Sequence, residues 1–103
     1  MSGFRLHPEG YDDIDEIRAY IAEDSPDGAD RMVNEIFDRL RHLTQFPHQG
    51  FRRPHFTSLP LRFIVVREYL IAYAPEKDPL WIVAVIHGRR SPGVIAAVLR
   101  GRE

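Results

Sequence analysis

Apolar and polar residues change rhythm along this chain, and each change marks an element. Phe4-Arg5-Leu6-His7 alternates with the period of a half-buried strand, and Pro8 then closes it and opens a helix at a first-turn position where proline is tolerated. Ile14, Ile17 and Ile21 follow at spacings of three and four with Tyr20 beside them. Asp12, Asp13, Asp15 and Glu16 gather at the front end, where the helix dipole favours carboxylates. Ser25-Pro26-Asp27 restarts a helix, because serine caps, proline suits the first helical position and aspartate complements the dipole. The second helix runs to about Leu43 with Ala29, Met32, Val33, Ile36, Phe37, Leu40 and Leu43 on a stripe broad enough for the first helix and a sheet together. Glu23 and Asp24 alone precede the cap, so the two helices form an antiparallel hairpin.

From Gln45 to Pro60 the pattern gives way to Pro47, Gly50, Pro54, Pro60 and three aromatics, an ordered surface loop. Leu61 to Val66, Tyr69 to Ala74 and Leu80 to Ile86 are then rich in β-branched and aromatic residues. Arg67-Glu68 and residues 75–79 join them, and both connections suit hairpins, so the three strands form an antiparallel meander. In the last of them Trp81, Val83 and Val85 alternate with Ile82, Ala84 and Ile86, leaving both faces apolar and the strand central. Ser91-Pro92 repeats the cap-and-proline pattern and starts a short helix through Ile95, Val98 and Leu99. The predicted order is βααβββα. It is an α+β fold in which a helix hairpin packs on an antiparallel sheet, with a short C-terminal helix and no internal repeat.

Composition narrows this further. The 103 residues suit one domain spanning residues 1–103. With no cysteine, disulfides, thiolate zinc sites and thiol nucleophiles are excluded. No run approaches the ~20 apolar residues of a membrane span. Arg5, Pro8 and Glu9 stand where a signal peptide needs an apolar stretch, so the protein is read as soluble and cytoplasmic. The net charge of -1 conceals a separation: residues 1–50 hold 11 acidic and 5 basic side chains, residues 51–103 hold 4 and 9. Eight of those nine are arginine, the side chain suited to bidentate contact with carboxylates or phosphates.

Particular residues give the order a family likeness. Leu6-His7-Pro8-Glu9, Ile14-Asp15-Glu16-Ile17 with Tyr20-Ile21, and Phe46-Pro47 with Gly50 and Arg53-Pro54 occur in sequence. Tyr69-Leu70-Ile71-Ala72-Tyr73 and Val85-Ile86-His87-Gly88-Arg89-Arg90 follow them. Across roughly residues 4–93 the chain resembles the RelE/ParE superfamily of toxins, and its ParE branch in particular. The resemblance implies a toxin neutralised by a cognate antitoxin, whose C-terminal segment lies in the groove between helix hairpin and sheet as a toxin–antitoxin hetero-oligomer. It also implies DNA gyrase as the target, bound without chemistry, whereas RelE-like members are ribosome-dependent mRNA endoribonucleases.

Cleaving RNA through its 2'-hydroxyl needs a proton acceptor, cations for the phosphate and an acid for the leaving oxygen. RelE-like toxins supply these from basic sheet residues and a tyrosine or histidine near the C-terminus. Here no tyrosine follows Tyr73, and arginine is too basic to accept a proton near neutral pH. His87 is the exception. Strand alternation puts it on the same face as Arg89, and with Arg62 a minimal nuclease site of His87, Arg89 and Arg62 can be drawn. The plainer reading is that His87 ends its strand and bonds a backbone carbonyl. Arg62, Arg67, Trp81, His87, Arg89 and Arg90 are the candidates for binding target or antitoxin, each with a competing reading as rim charge or core. His42, His48 and His55 have no ligand geometry, and the acidic cluster on the first helix reads as solvated carboxylates, so neither metal nor cofactor is expected.

Overall fold

The computed structural model describes residues 3–102, and its elements follow the predicted order. They are β1 (Phe4–Leu6), α1 (Pro8–Ala22), α2 (Pro26–Gln45), β2 (Arg62–Val66), β3 (Tyr69–Ala74), β4 (Leu80–His87) and α3 (Pro92–Arg100). All three helices begin with one device, a polar cap followed by proline at the first helical position. His7 Nδ1 accepts from Glu9 N at 3.0 Å, Ser25 Oγ from Gly28 N at 3.0 Å and Ser91 Oγ from Val94 N at 3.2 Å. α2 continues two residues past the expected Leu43, to Gln45.

The sheet order is β1-β4-β3-β2. β2, β3 and β4 form the expected antiparallel meander, joined at Arg67-Glu68 by a two-residue turn in which Arg67 takes a positive φ of 54°. β1 corrects the expectation of a wholly antiparallel sheet: it pairs with β4 in parallel, Phe4 opposite Leu80 and Leu6 opposite Ile82. β4 is therefore interior, as its two apolar faces required. Its alternation is not strict, because Ala72 pairs with Ala84 and Tyr73 with Ile82, which leaves Val83 as a bulge. Past the bulge the faces exchange, so Trp81, Val83, Ala84 and Ile86 share one side and Leu80, Ile82 and Val85 the other.

Each side of the sheet has its own core. The helix hairpin covers one, packing Ile14, Ile36, Leu40 and Leu43 on Ile64, Ile71, Tyr73 and Ile82. α3 and the 46–61 loop cover the other, where Ile95, Leu99, Phe51 and Phe56 meet Phe63, Leu70, Ala84 and Ile86. The loop is fastened at Gly50. Its N–H donates to the Tyr73 hydroxyl at 2.9 Å and its carbonyl accepts from Arg62 Nη1 at 2.7 Å. Next to it, Phe51 and Phe63 exchange backbone hydrogen bonds of 2.9 and 2.8 Å.

Candidate functional site

The feature that organises the surface is the shortness of β1. It reaches only to Ile82, whose carbonyl accepts from His7 N at 2.8 Å, so β4 has no strand partner on that edge from Val83 to His87. Side chains take the place of a strand. Asp13 Oδ2 accepts from Val85 N at 2.9 Å, and Arg102 Nη1 donates to the Val83 carbonyl at 3.1 Å. The two side chains then pair, with Arg102 Nη2 at 2.8 Å from Asp13 Oδ1, and they are 8% and 14% exposed. Asp13 holds the guanidinium pKa above its ordinary value, and Glu9 stands 3.4 Å from its Nε.

Over this ion pair lies a cleft of about 600 Å³ between α1 and the end of α3. Its α1 wall carries Glu9, Asp12 and Glu16; Arg90 faces them, and Ile17, Tyr69 and Val85 form an apolar floor. A smaller cleft of about 390 Å³ opens on the other face of the sheet, between the 51–56 segment, the β2–β3 turn and α3. His87 stands at the lip of both.

His87 ends β4, as expected, but its bonding differs from the carbonyl contact predicted. Its Nδ1 accepts from Arg89 N at 3.0 Å, and its Nε2 lies 3.5 Å from the Glu68 carboxylate. A ring nitrogen that accepts an amide proton leaves the imidazole proton on the other nitrogen, so Nε2 carries it, on the side of Glu68. Tyr69, across the strand pair, stands edge-on to the imidazole with centroids 5.3 Å apart. Burial pushes its phenol pKa up, and the Glu68 carboxylate adds to this. The strand stops at His87, so alternation does not carry into the turn beyond it. Arg90 lines the cleft on the hairpin side and Arg89 the one on the far face. Both are exposed, and neither guanidinium meets a carboxylate among the described residues.

The other expected residues lie elsewhere. Arg62 is opposite Tyr73, four residues along β3 from the Tyr69 that faces His87, a separation of about 13 Å along the strand. Its guanidinium is engaged by Gly50. Arg67 makes a two-point contact with Glu35 of α2, Nε to Oε2 at 2.7 Å and Nη2 to Oε1 at 2.8 Å. Trp81 sits six residues down β4 from His87, roughly 20 Å away. It packs into the far core near His7 and lines a shallow depression with Arg5 and Lys77. The structure thus gathers His87, Arg89 and Arg90 at one end of β4, with Arg67 beside them on the far-face cleft but engaged by Glu35, and leaves Arg62 and Trp81 apart from them.

A family model described as the ParE toxin of the type II toxin-antitoxin system, parDE, matches residues 4–92, most of the chain. The chain belongs to the ParE toxin family. The chain is 29% identical over 99 residues to Toxin ParE2 of Mycobacterium tuberculosis, in strains CDC 1551 / Oshkosh and ATCC 25618 / H37Rv, covering 95% of this chain and 92% of the relative. Its fold is similar to a solved structure described as the chromosomal ParDE TA system from P. aeruginosa, with a TM-score of 0.68 at 20% identity over 84% of this chain and 96% of that one. The family-model match ends at Pro92, the first residue of α3, whereas the alignment with Toxin ParE2 covers 95% of the chain and so extends into that helix. Among the described residues no group of three or more His, Asp or Glu side chains is placed to hold a metal ion, and no helix is long and apolar enough to cross a membrane.

Sequence reasoning missed Arg102, and it took Asp13 for one solvated carboxylate among four. Asp13 shows only in hindsight that it falls on the helix face toward β4. Its partner is 89 positions away, and no local pattern connects them.

Proposed function

We propose that this ParE-family toxin acts by gripping DNA gyrase through the end of β4 and α3, and that a cognate antitoxin silences it by laying its C-terminal segment in the cleft between α1 and α3. The observation that carries this reading is the cleft itself, an apolar floor beside a strand edge that only side chains cover. An extended segment can add to such an edge, and a helical one can bury its apolar face against Ile17 and Tyr69. Toxin and antitoxin then form a cytoplasmic hetero-oligomer, with Arg90 and the α1 carboxylates fixing the orientation of the bound segment.

Three observations favour contact over catalysis. The His87 Nδ1 is committed to a backbone amide. The neighbouring Tyr69 phenol is shifted away from the neutral range. Arg62 is held at the opposite end of the sheet. Purified toxin added in excess to a gyrase supercoiling reaction is expected to stop supercoiling, with Arg89→Ala and Arg90→Ala weakening the effect. Full gyrase activity at saturating toxin defeats the reading.

The alternative, mRNA cleavage in the ribosome, draws on the proximity of His87 and Arg89. It predicts transcript cuts that disappear in His87→Ala. Intact transcripts during growth arrest exclude it.

A further inference from the structure

The reading above touches the cleft on the far face of the sheet only where the end of β4 and α3 border it. Its floor is apolar, made by Phe51, Phe56, Leu70 and Ile95, with the Val65 side chain standing 50% exposed in its middle. Its rim is cationic. Arg53 stacks on Phe51 with its guanidinium carbon 4.2 Å from the ring centroid, and Arg89 rises from the turn after β4. Neither has a carboxylate partner among the described residues, whereas Arg67 beside them is engaged by Glu35. Glu68 is the one acidic residue among those lining the cleft, and its carboxylate is turned to His87.

The backbone adds a second feature. β2 is the outer strand of the sheet, and Phe51 pairs with Phe63 through both backbone bonds. Two residues on, Val65 presents its N–H and C=O in the same outward direction, since residues two apart in a strand share an orientation. No backbone or side-chain partner meets them among the described residues. A half-covered edge, an exposed valine and unneutralised guanidinium groups therefore occupy one surface.

We infer that this far-face cleft is a second protein-binding site, which accepts an extended acidic segment: its backbone pairs with Val65, an apolar side chain enters between Phe51, Phe56 and Ile95, and flanking carboxylates meet Arg53 and Arg89. Charge complementarity and the free edge specify a peptide. A nucleic acid strand satisfies the arginines but has no use for the Val65 amide or the apolar floor. The site is on the opposite side of the sheet from the cleft assigned to the antitoxin, and it stands whether or not gyrase is the target.

A titration of isotope-labelled toxin, followed through its backbone amide resonances, tests this directly. The probe is a short, end-capped peptide alternating aspartate and leucine. Its lysine-for-aspartate counterpart and an oligouridylate serve as competitors. Saturable shifts are expected at Val65, Leu70, Gly88 and Ile95. Binding should weaken roughly tenfold in the double variant Arg53→Glu/Arg89→Glu and remain unchanged in Arg90→Glu, which reverses a charge in the other cleft. Val65→Asp should remove binding. If that substitution loosens β2, the two reversals on exposed side chains read the same contact in a folded protein. Shifts confined to the cleft between α1 and α3, no saturable shift at all, or equal binding of the lysine peptide or oligouridylate in the far cleft would each overturn the inference. None of these outcomes depends on a gyrase assay, so this site and the gyrase reading fail separately.

Discussion

The two faces of the sheet are held by different kinds of structure. On the hairpin side a helix of 20 residues and one of 15 lay continuous apolar stripes on the strands, and Ile36, Leu40 and Leu43 have no exposed surface. On the far side the cover is a helix of nine residues and a loop without regular structure, fixed by a few hydrogen bonds at Gly50, Phe51 and Arg62. A stripe spreads its stabilisation over many residues. A pinned loop concentrates it in a few, and leaves gaps between the pins of the kind seen at Val65. The rigid face thus supports the fold, and the open features gather where that cover runs out: at the unpaired length of β4 and at the outer edge of β2.

Truncation in the two cores is the most forceful way to break this comparison. Leu40→Ala opens a cavity against two helices and a sheet that cannot close it, and a loss of about 4 kcal/mol is expected in urea or guanidinium unfolding. Ile95→Ala removes a similar volume beneath α3, a short helix free to settle, and about 2 kcal/mol is expected. Equal losses would mean that the far layer is as rigid as the hairpin and that the contrast is false.

The ion pair on the β4 edge comes next. Arg102→Ala leaves the Asp13 carboxylate with the Val85 amide as its remaining partner and frees the Val83 carbonyl. Loss of one partner of a fully buried pair costs about 3–5 kcal/mol. Asp13 keeps 14% exposure, so water reaches it and roughly 2 kcal/mol is expected. Because the arginine follows α3 directly, the same substitution should release that helix, read as faster amide exchange at Ile95 and Leu99 than at Leu40. A double-mutant cycle with Asp13→Ala should return a coupling of about 1–2 kcal/mol. Additive losses would show that the two side chains act separately.

What could be read in the sequence follows the same division. The hairpin, its caps and the meander were legible because Ser25-Pro26, Ser91-Pro92 and the Ile14-Ile17-Ile21 spacing are local patterns, set by interactions within one or two turns. The central place of β4 was legible from its two apolar faces. The parallel docking of β1 was not, since three residues with half-buried alternation specify a strand and not its neighbour. The bulge at Val83 was hidden as well, because both faces of β4 are apolar and an exchange of faces leaves no trace in the pattern. At the candidate site the C-terminal run His87-Gly88-Arg89-Arg90 was legible as a unit. Its division between two clefts was not, because a turn has no period to extrapolate. Arg62 looked free in the sequence, and its role at Gly50 depends on a loop returning to the sheet.

That return can be tested at Gly50. A Cβ there would collide with the Tyr73 hydroxyl and come within 2.7 Å of the Phe63 carbonyl, one the end of a fixed ring and the other backbone. Gly50→Ala must therefore shift the loop. The expected cost is about 1–3 kcal/mol, the range for overpacking a filled site. Tyr73→Phe removes the hydroxyl that accepts from Gly50 N and should cost about 1 kcal/mol. In the double variant the alanine has more room, so its loss should be smaller than the sum of the two single losses. Strict additivity in thermal or chemical unfolding would indicate that the loop is held elsewhere.

The smallest effect is expected where the two regions are bridged at the surface. Arg67, at the β2–β3 turn, holds Glu35 of α2, and its hydrogen bonds keep the Glu35 carboxyl below its ordinary value of 4.5. A carboxylate whose folded pKa is depressed contributes stability that is fully present above its unfolded value. That contribution is lost as pH falls through the folded one. The difference in Tm between the natural protein and Glu35→Gln should therefore be constant from neutral pH down to about 4.5 and shrink below it. It should also fall with added salt, because both side chains are exposed. A difference that persists unchanged at lower pH would show that it does not come from the charge on the Glu35 carboxylate, and the hairpin and meander would then be joined through their apolar layer alone.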